Sequence, residues 1–109
     1  MSNLKETIKE LIDFRDKRDW AQFHNSKDLA LAISIEASEL LELFLWKSEE
    51  DADIEKLKEE LADVLSFCLL LANKHNLDID NIISEKIKKN NKKYPVSKSK
   101  GNAKKYNEL

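Results

Sequence analysis

Glycine and proline are nearly missing: the 109 residues hold one of each, and both Gly101 and Pro95 fall in the last fifteen positions. Nothing before Tyr94 therefore carries the strongest turn and break signals, which points to helices. The single cysteine, Cys68, excludes an internal disulfide and is compatible with a reducing compartment; inside the apolar run Phe67 to Ala72 it reads as core packing. No apolar run approaches the length that crosses a bilayer, and Met1 to Glu10 lacks the hydrophobic stretch of a signal peptide. No membrane partner is expected, and the cytoplasm is the expected location. Aromatics are few, 7% of the chain, and no basic stripe is interleaved with them, so nucleic-acid binding is not favoured.

What is present suits amphipathic helices: 37% charged and 41% hydrophobic residues, in a length that supports one core. We expect a single domain over residues 1–109, with a bundle over about 3–94 and a basic tail over 95–109. Charge is unevenly spread. Between Glu36 and Asp63 there are eleven acids against three lysines, whereas from Lys92 onward six lysines face one acid, Glu108. Most of these side chains read as solvated surface; the sharper possibility is a metal-collecting centre with a basic flap for an anion.

Apolar spacing predicts four helices. The first covers about Asn3 to Arg18, and a loop with Trp20, Phe23 and His24 follows. The second runs from about Lys27 to Trp46 with Ser26 as N-cap, and the third from near Asp53 to about His75. The fourth covers Ile79 to Lys93, capped by Asp78 and ended by Tyr94-Pro95, beyond which everything reads as tail. Short links between the helices suggest an all-α four-helix bundle with antiparallel neighbours.

Several polar residues fall on apolar faces. On the second helix, Leu29, Ala32, Ile33, Leu40, Leu43 and Trp46 form one arc; Glu36 and Glu39 lie within it. On the third, Glu60 lies inside the arc of Leu57, Leu61, Val64, Leu65, Cys68 and Leu71, beside Phe67, and Asp63 lies at its edge. Two i,i+3 acid pairs thus project from one face each. Carboxylates facing a core are costly unless paired or metal-bound. Lys86 and Asn90 share the apolar arc of the fourth helix, with Lys93 and Tyr94 a turn further on. Taken singly, Lys86 reads as a structural partner for one glutamate and Asn90 as a satisfied amide, but neither can neutralise four acids. An all-oxygen set suits Mg²⁺, with Mn²⁺ an alternative, and Mg²⁺ usually completes its shell with water and substrate phosphates. Carboxylate-bridged di-iron bundles use Glu-x-x-His, and neither His24 nor His75 is so placed.

The stretch Trp20 to His24, the run Ser34 to Trp46, the block Glu59-Glu60-Leu61-Ala62-Asp63-Val64 and the ending Lys86-x-x-x-Asn90-x-x-Lys93-Tyr94-Pro95-Val96, with Ser99-Lys100-Gly101 and Lys105-Tyr106, form an ordered set. That set resembles the MazG-like all-α nucleotide pyrophosphohydrolases, and within them the dCTP pyrophosphatase branch. The resemblance implies Mg²⁺ held by Glu36, Glu39, Glu60 and Asp63, and a nucleoside triphosphate bound through Lys86 and Asn90. It further implies a base pocket with Trp20, Trp46 and His24, and a homodimer or homotetramer. Phe67 stands where animal members of the branch carry a tyrosine, which leaves base preference open. The implied chemistry is metal-assisted hydrolysis to the monophosphate and pyrophosphate, with Glu39, or else Glu36, as general base and Lys86, with Lys100 or Lys105, offsetting charge on the leaving group. Two other readings stand beside it: a helical interaction module without catalysis, and a nucleotide-binding sensor. Leu31 and Leu45, on the polar side of the second helix, point independently to a second subunit.

Overall fold

The computed structural model describes residues 3–109 and is helical throughout, without strands among them. The chain forms α1 (Leu4–Lys17), α2 (Ser26–Glu42), α3 (Ile54–Lys74), α4 (Ile79–Lys93) and a short α5 (Val96–Ser99), with 3₁₀ turns at Ala21–Phe23, Glu49–Asp51 and Tyr106–Glu108. It separates into two compact units, one ending at Asn76 and the other spanning Leu77–Leu109.

Each of the four longer helices starts on an Asn or Asp whose side chain accepts an otherwise unpaired amide of the first turn. Asn3 takes the Glu6 N–H at 3.0 Å, Asp53 that of Glu55 at 2.9 Å and Asp78 that of Asn81 at 3.1 Å. At α2 the cap is Asn25, which accepts the Asp28 N–H at 2.8 Å, and not the expected Ser26. Ser26 is the first helical residue, and its hydroxyl lies 2.8 Å from His75 Nε2 just past the end of α3. The start of α2 is thus tied to the end of α3. The two helices run antiparallel, and α3 packs chiefly on α2 and less on α1.

The expected end of α2 at Trp46 is also corrected. The helix stops at Glu42, and Leu43, Phe44 and Leu45 donate to carbonyls three residues back. Trp46 then takes φ +60°, a left-handed conformation that is an outlier for a bulky side chain, and stands 94% exposed. Gly101 also has a positive φ, of +81°, and with glycine so scarce the other two such positions among the described residues fall to Asp19 and Asn76, which tolerate them better than tryptophan.

In the second unit α4 has the expected limits. The segment after Pro95 is more structured than a tail: Tyr106 meets Tyr94 edge to face at 6.3 Å, and Lys93 Nζ lies 5.0 Å from the Tyr106 ring centre.

Few side chains are fully covered. Leu29, Leu70 and Ala72 are the buried hydrophobics among the described residues, while Leu31, Ile35, Leu41, Leu45, Leu61 and Leu65 are all 45% exposed or more. No helix is long and apolar enough to cross a membrane among the described residues.

The cap assignment is testable. Asn25→Ala should lower unfolding free energy by about 1 kcal/mol in urea titration. A loss within error of zero would move the cap elsewhere.

Candidate metal centre and adjoining pocket

The antiparallel pairing of α2 and α3 sets their acid pairs against each other. Glu36, Glu60 and Asp63 each offer a carboxylate oxygen, all within 4.8 Å of one another. Glu36 and Glu60 are half-buried and Asp63 is exposed, so the cluster has a closed side and an open one. Glu39 is outside this tightest set but adjoins both glutamates. The Glu36 carboxyl is pushed up to about 7, first because Glu39 hydrogen-bonds its proton, then by partial burial and by the charges of Glu39, Asp63 and Glu60. Glu60 is also raised, by partial burial first and then by the charges of Glu39 and Asp63. One oxygen of Glu36 and one of Glu60, both Oε2, are shielded from water with no hydrogen-bond partner among the described residues. Shielded, unpartnered and crowded by like charge, these oxygens suit a hard divalent cation.

A second feature opens beside the cluster. A cavity of about 610 Å³ lies between α1, the Trp20–His24 loop and α3, lined by Phe14, Trp20, His24, Phe67 and Leu70, with Asp63 on its wall. Phe14 and Trp20 meet edge to face at 5.7 Å, and the Arg18 guanidinium sits 3.8 Å from the Phe14 ring centre. These contacts hold the aromatic wall in place. His24 Nδ1 is buried without a hydrogen-bond partner among the described residues. Its pKa is lowered, first by burial and then by the charge of Arg15, so the ring is neutral at physiological pH.

Asp63 belongs to both features. Of the residues expected from sequence, the structure brings Glu36, Glu60 and Asp63 together, with Glu39 adjoining, and gathers Trp20, His24 and Phe67 around the cavity. It does not bring Trp46 to that cavity, because the helix ends before it. In the second unit Lys86 is exposed on α4 and Asn90, one turn on, is half-buried. Tyr94 caps α4 beside Lys93, Lys100 follows α5, and Lys105 precedes the last 3₁₀ turn. Lys47 and Lys56, which the sequence leaves as ordinary surface lysines, line a groove shared with Glu39 and Glu60.

The all-helical fold and the sequence both have relatives among known proteins. A crystal structure of a pyrophosphatase from Archaeoglobus fulgidus superposes with a TM-score of 0.77 at 36% identity, covering 87% of this chain and 94% of that one. The MazG-like family model matches residues 31–109, and the chain belongs to the MazG-like family. It is 38% identical over 105 residues to dCTP pyrophosphatase 1 of Rattus norvegicus and 34% identical to that of Homo sapiens, in each case over 89% of this chain. The chain spans 62% of the length of these relatives.

The crowding of acids has a sign that can be measured. Glu36 binds its proton more tightly in the folded protein than in the unfolded chain, so this stabilisation is complete below the ordinary value of 4.5 and is lost as pH climbs through about 7. Metal-free protein should therefore show a falling Tm between about pH 4.5 and 7 by scanning calorimetry, and Glu36→Gln should flatten that slope. A Tm that rises across this window in the unsubstituted protein, and equally in the variant, would remove the crowding.

Proposed function

We propose that this protein hydrolyses a nucleoside triphosphate to the monophosphate and pyrophosphate with Mg²⁺, or Mn²⁺ in its place. The observation that carries this reading is the double membership of Asp63 in the carboxylate cluster and in the aromatic cavity. A ligand seated in the cavity by a flat apolar ring meets the cluster with whatever is attached to that ring. A nucleotide has that shape and charge order.

Trp20 and Phe67 offer faces to a base, and the unpartnered His24 Nδ1 offers it a hydrogen bond. Glu36, Glu60 and Asp63, with Glu39 adjoining, are the residues to hold the cation, whose contribution when bound is to draw charge from phosphate oxygens and make a water more acidic. Glu39 adjoins the cluster without belonging to its tightest set, which favours it over Glu36 as the base that receives the proton of the attacking water. Lys86 and Asn90 are the phosphate ligands proposed for the second unit, with Lys93, Tyr94, Lys100 and Lys105 as supporting contacts. A pyrimidine deoxynucleotide, dCTP or a relative of it, is the proposed substrate, in keeping with the names of the mammalian relatives.

With Mg²⁺ and dCTP, chromatography should show dCMP and pyrophosphate in equal amounts and no accumulation of dCDP. Chelation should stop the reaction, and Glu39→Gln or Asp63→Asn should abolish it while circular dichroism stays helical. Inorganic phosphate as the primary product, or no turnover on any common triphosphate, would overturn the proposal.

The exposed leucines and isoleucines of α2 and α3 favour a homodimer or homotetramer, because a chain with so little fully buried apolar surface gains most by covering it with a second copy. Light scattering at micromolar concentration should give at least twice the chain mass. A monomeric mass would refute it.

A further inference from the structure

Beyond the carboxylate cluster, towards the start of α3, a polar groove of about 510 Å³ lies between the end of α2 and the first turn of α3. It shares Glu39 and Glu60 with the cluster's surroundings and is also lined by Glu42 and Asp53 and by Lys47 and Lys56. On α3, the residues Phe67, Asp63, Glu60 and Lys56 follow one another at steps of three or four and so form one stripe, ~16 Å from end to end. Its chemical order is aromatic, carboxylate, carboxylate, ammonium.

We propose that Lys47 and Lys56 grip the terminal phosphates of the substrate, and hence the pyrophosphate product, at the N-terminal end of that stripe. This rests on reading the site as one that takes a nucleoside triphosphate. With the ring against Phe67 and the first phosphates facing Asp63 and Glu60, the end of the polyphosphate reaches the groove, where positive charge is needed.

Three observations separate these lysines from ones that merely neutralise neighbouring acids. Lys58, two residues on from Lys56 and outside the groove lining, does pair, with Glu55 at 3.1 Å, whereas neither Lys47 nor Lys56 ion-pairs with a carboxylate among the described residues. Two of the backbone donors at the start of α3 are already engaged, because Asp53 accepts the N–H groups of Glu55 and Lys56. The groove's capacity for an anion thus resides in the two ammonium groups. Of the four acids in the groove, Glu39 and Glu60 are those assigned to the cation and its water, and neither Glu42 nor Asp53 ion-pairs with a lysine among the described residues.

The test is calorimetric titration of the whole chain in Mg²⁺, with pyrophosphate and, separately, with dCMP. Lys47→Gln and Lys56→Gln should each weaken pyrophosphate binding about tenfold and leave dCMP binding unchanged. Lys47→Arg and Lys56→Arg, which keep the charge, should retain most of the pyrophosphate affinity. Unchanged pyrophosphate affinity in both Gln variants would overturn the proposal, as would an equal loss for pyrophosphate and dCMP. The two readings fail separately. Lysine-dependent binding of pyrophosphate by a protein that turns over no triphosphate would sink the hydrolase and keep the grip, whereas normal turnover with an unaltered KM in both Gln variants would sink the grip alone.

Discussion

The antiparallel packing of α2 on α3 governs the rest of this molecule, because it forces together groups that would otherwise separate. Leu29 on α2 and Leu70 and Ala72 on α3 leave water almost completely. A large aliphatic side chain so buried contributes about 1.5–3 kcal/mol. The same register carries Glu36, Glu60 and Asp63 into one cluster, with Glu39 beside it. Apolar burial thus holds in place a set of like charges that Coulomb repulsion alone would disperse. The strain is local and has two releases, a proton on Glu36 or a cation among the carboxylates. That is how apolar packing in a helical protein can hold carboxylates together without a bound cation.

The helices were legible in the sequence wherever chemistry marks an end. Asp78 and Pro95 bracket α4, and its observed limits agree with the expected ones. At α2 two capping residues stand side by side, and only the path of the backbone decides for Asn25 over Ser26. The end of α2 was not legible: Leu43 and Trp46 continue the helical apolar period, no glycine or proline interrupts it, and the turn is imposed by the link to α3. The acids were legible because a carboxylate within an apolar arc breaks a pattern. Lys47 and Lys56 were not, since a lysine in an acidic segment breaks none, and their significance depends on a groove that exists only once α2 and α3 have packed.

Trp46 shows what that imposed turn entails. A bulky residue at φ +60° is held there by its surroundings rather than by preference. The segment needs a left-handed residue to reverse direction within a few positions, and no glycine is present to supply it. The conformation lifts the indole away from the helix it was expected to join and out of reach of the cavity lined by Trp20 and Phe67. The two tryptophans, alike in composition, therefore occupy different environments.

The cavity and the cluster differ in charge as well as in shape, and the difference is maintained actively. Burial and the charge of Arg15, itself on the cavity wall, both disfavour protonation of His24, so the imidazole stays neutral next to Asp63. A charged imidazole there would compete with a cation for that carboxylate. Across the stripe of α3, neutral aromatic surface therefore gives way to carboxylates and then to the Lys56 ammonium within about three helical turns. A helix face repeats every three to four residues, so a single α3 can present all three zones in line to one extended ligand. Discrimination between the ring of such a ligand and its charged chain then follows from which turn of the helix each part meets.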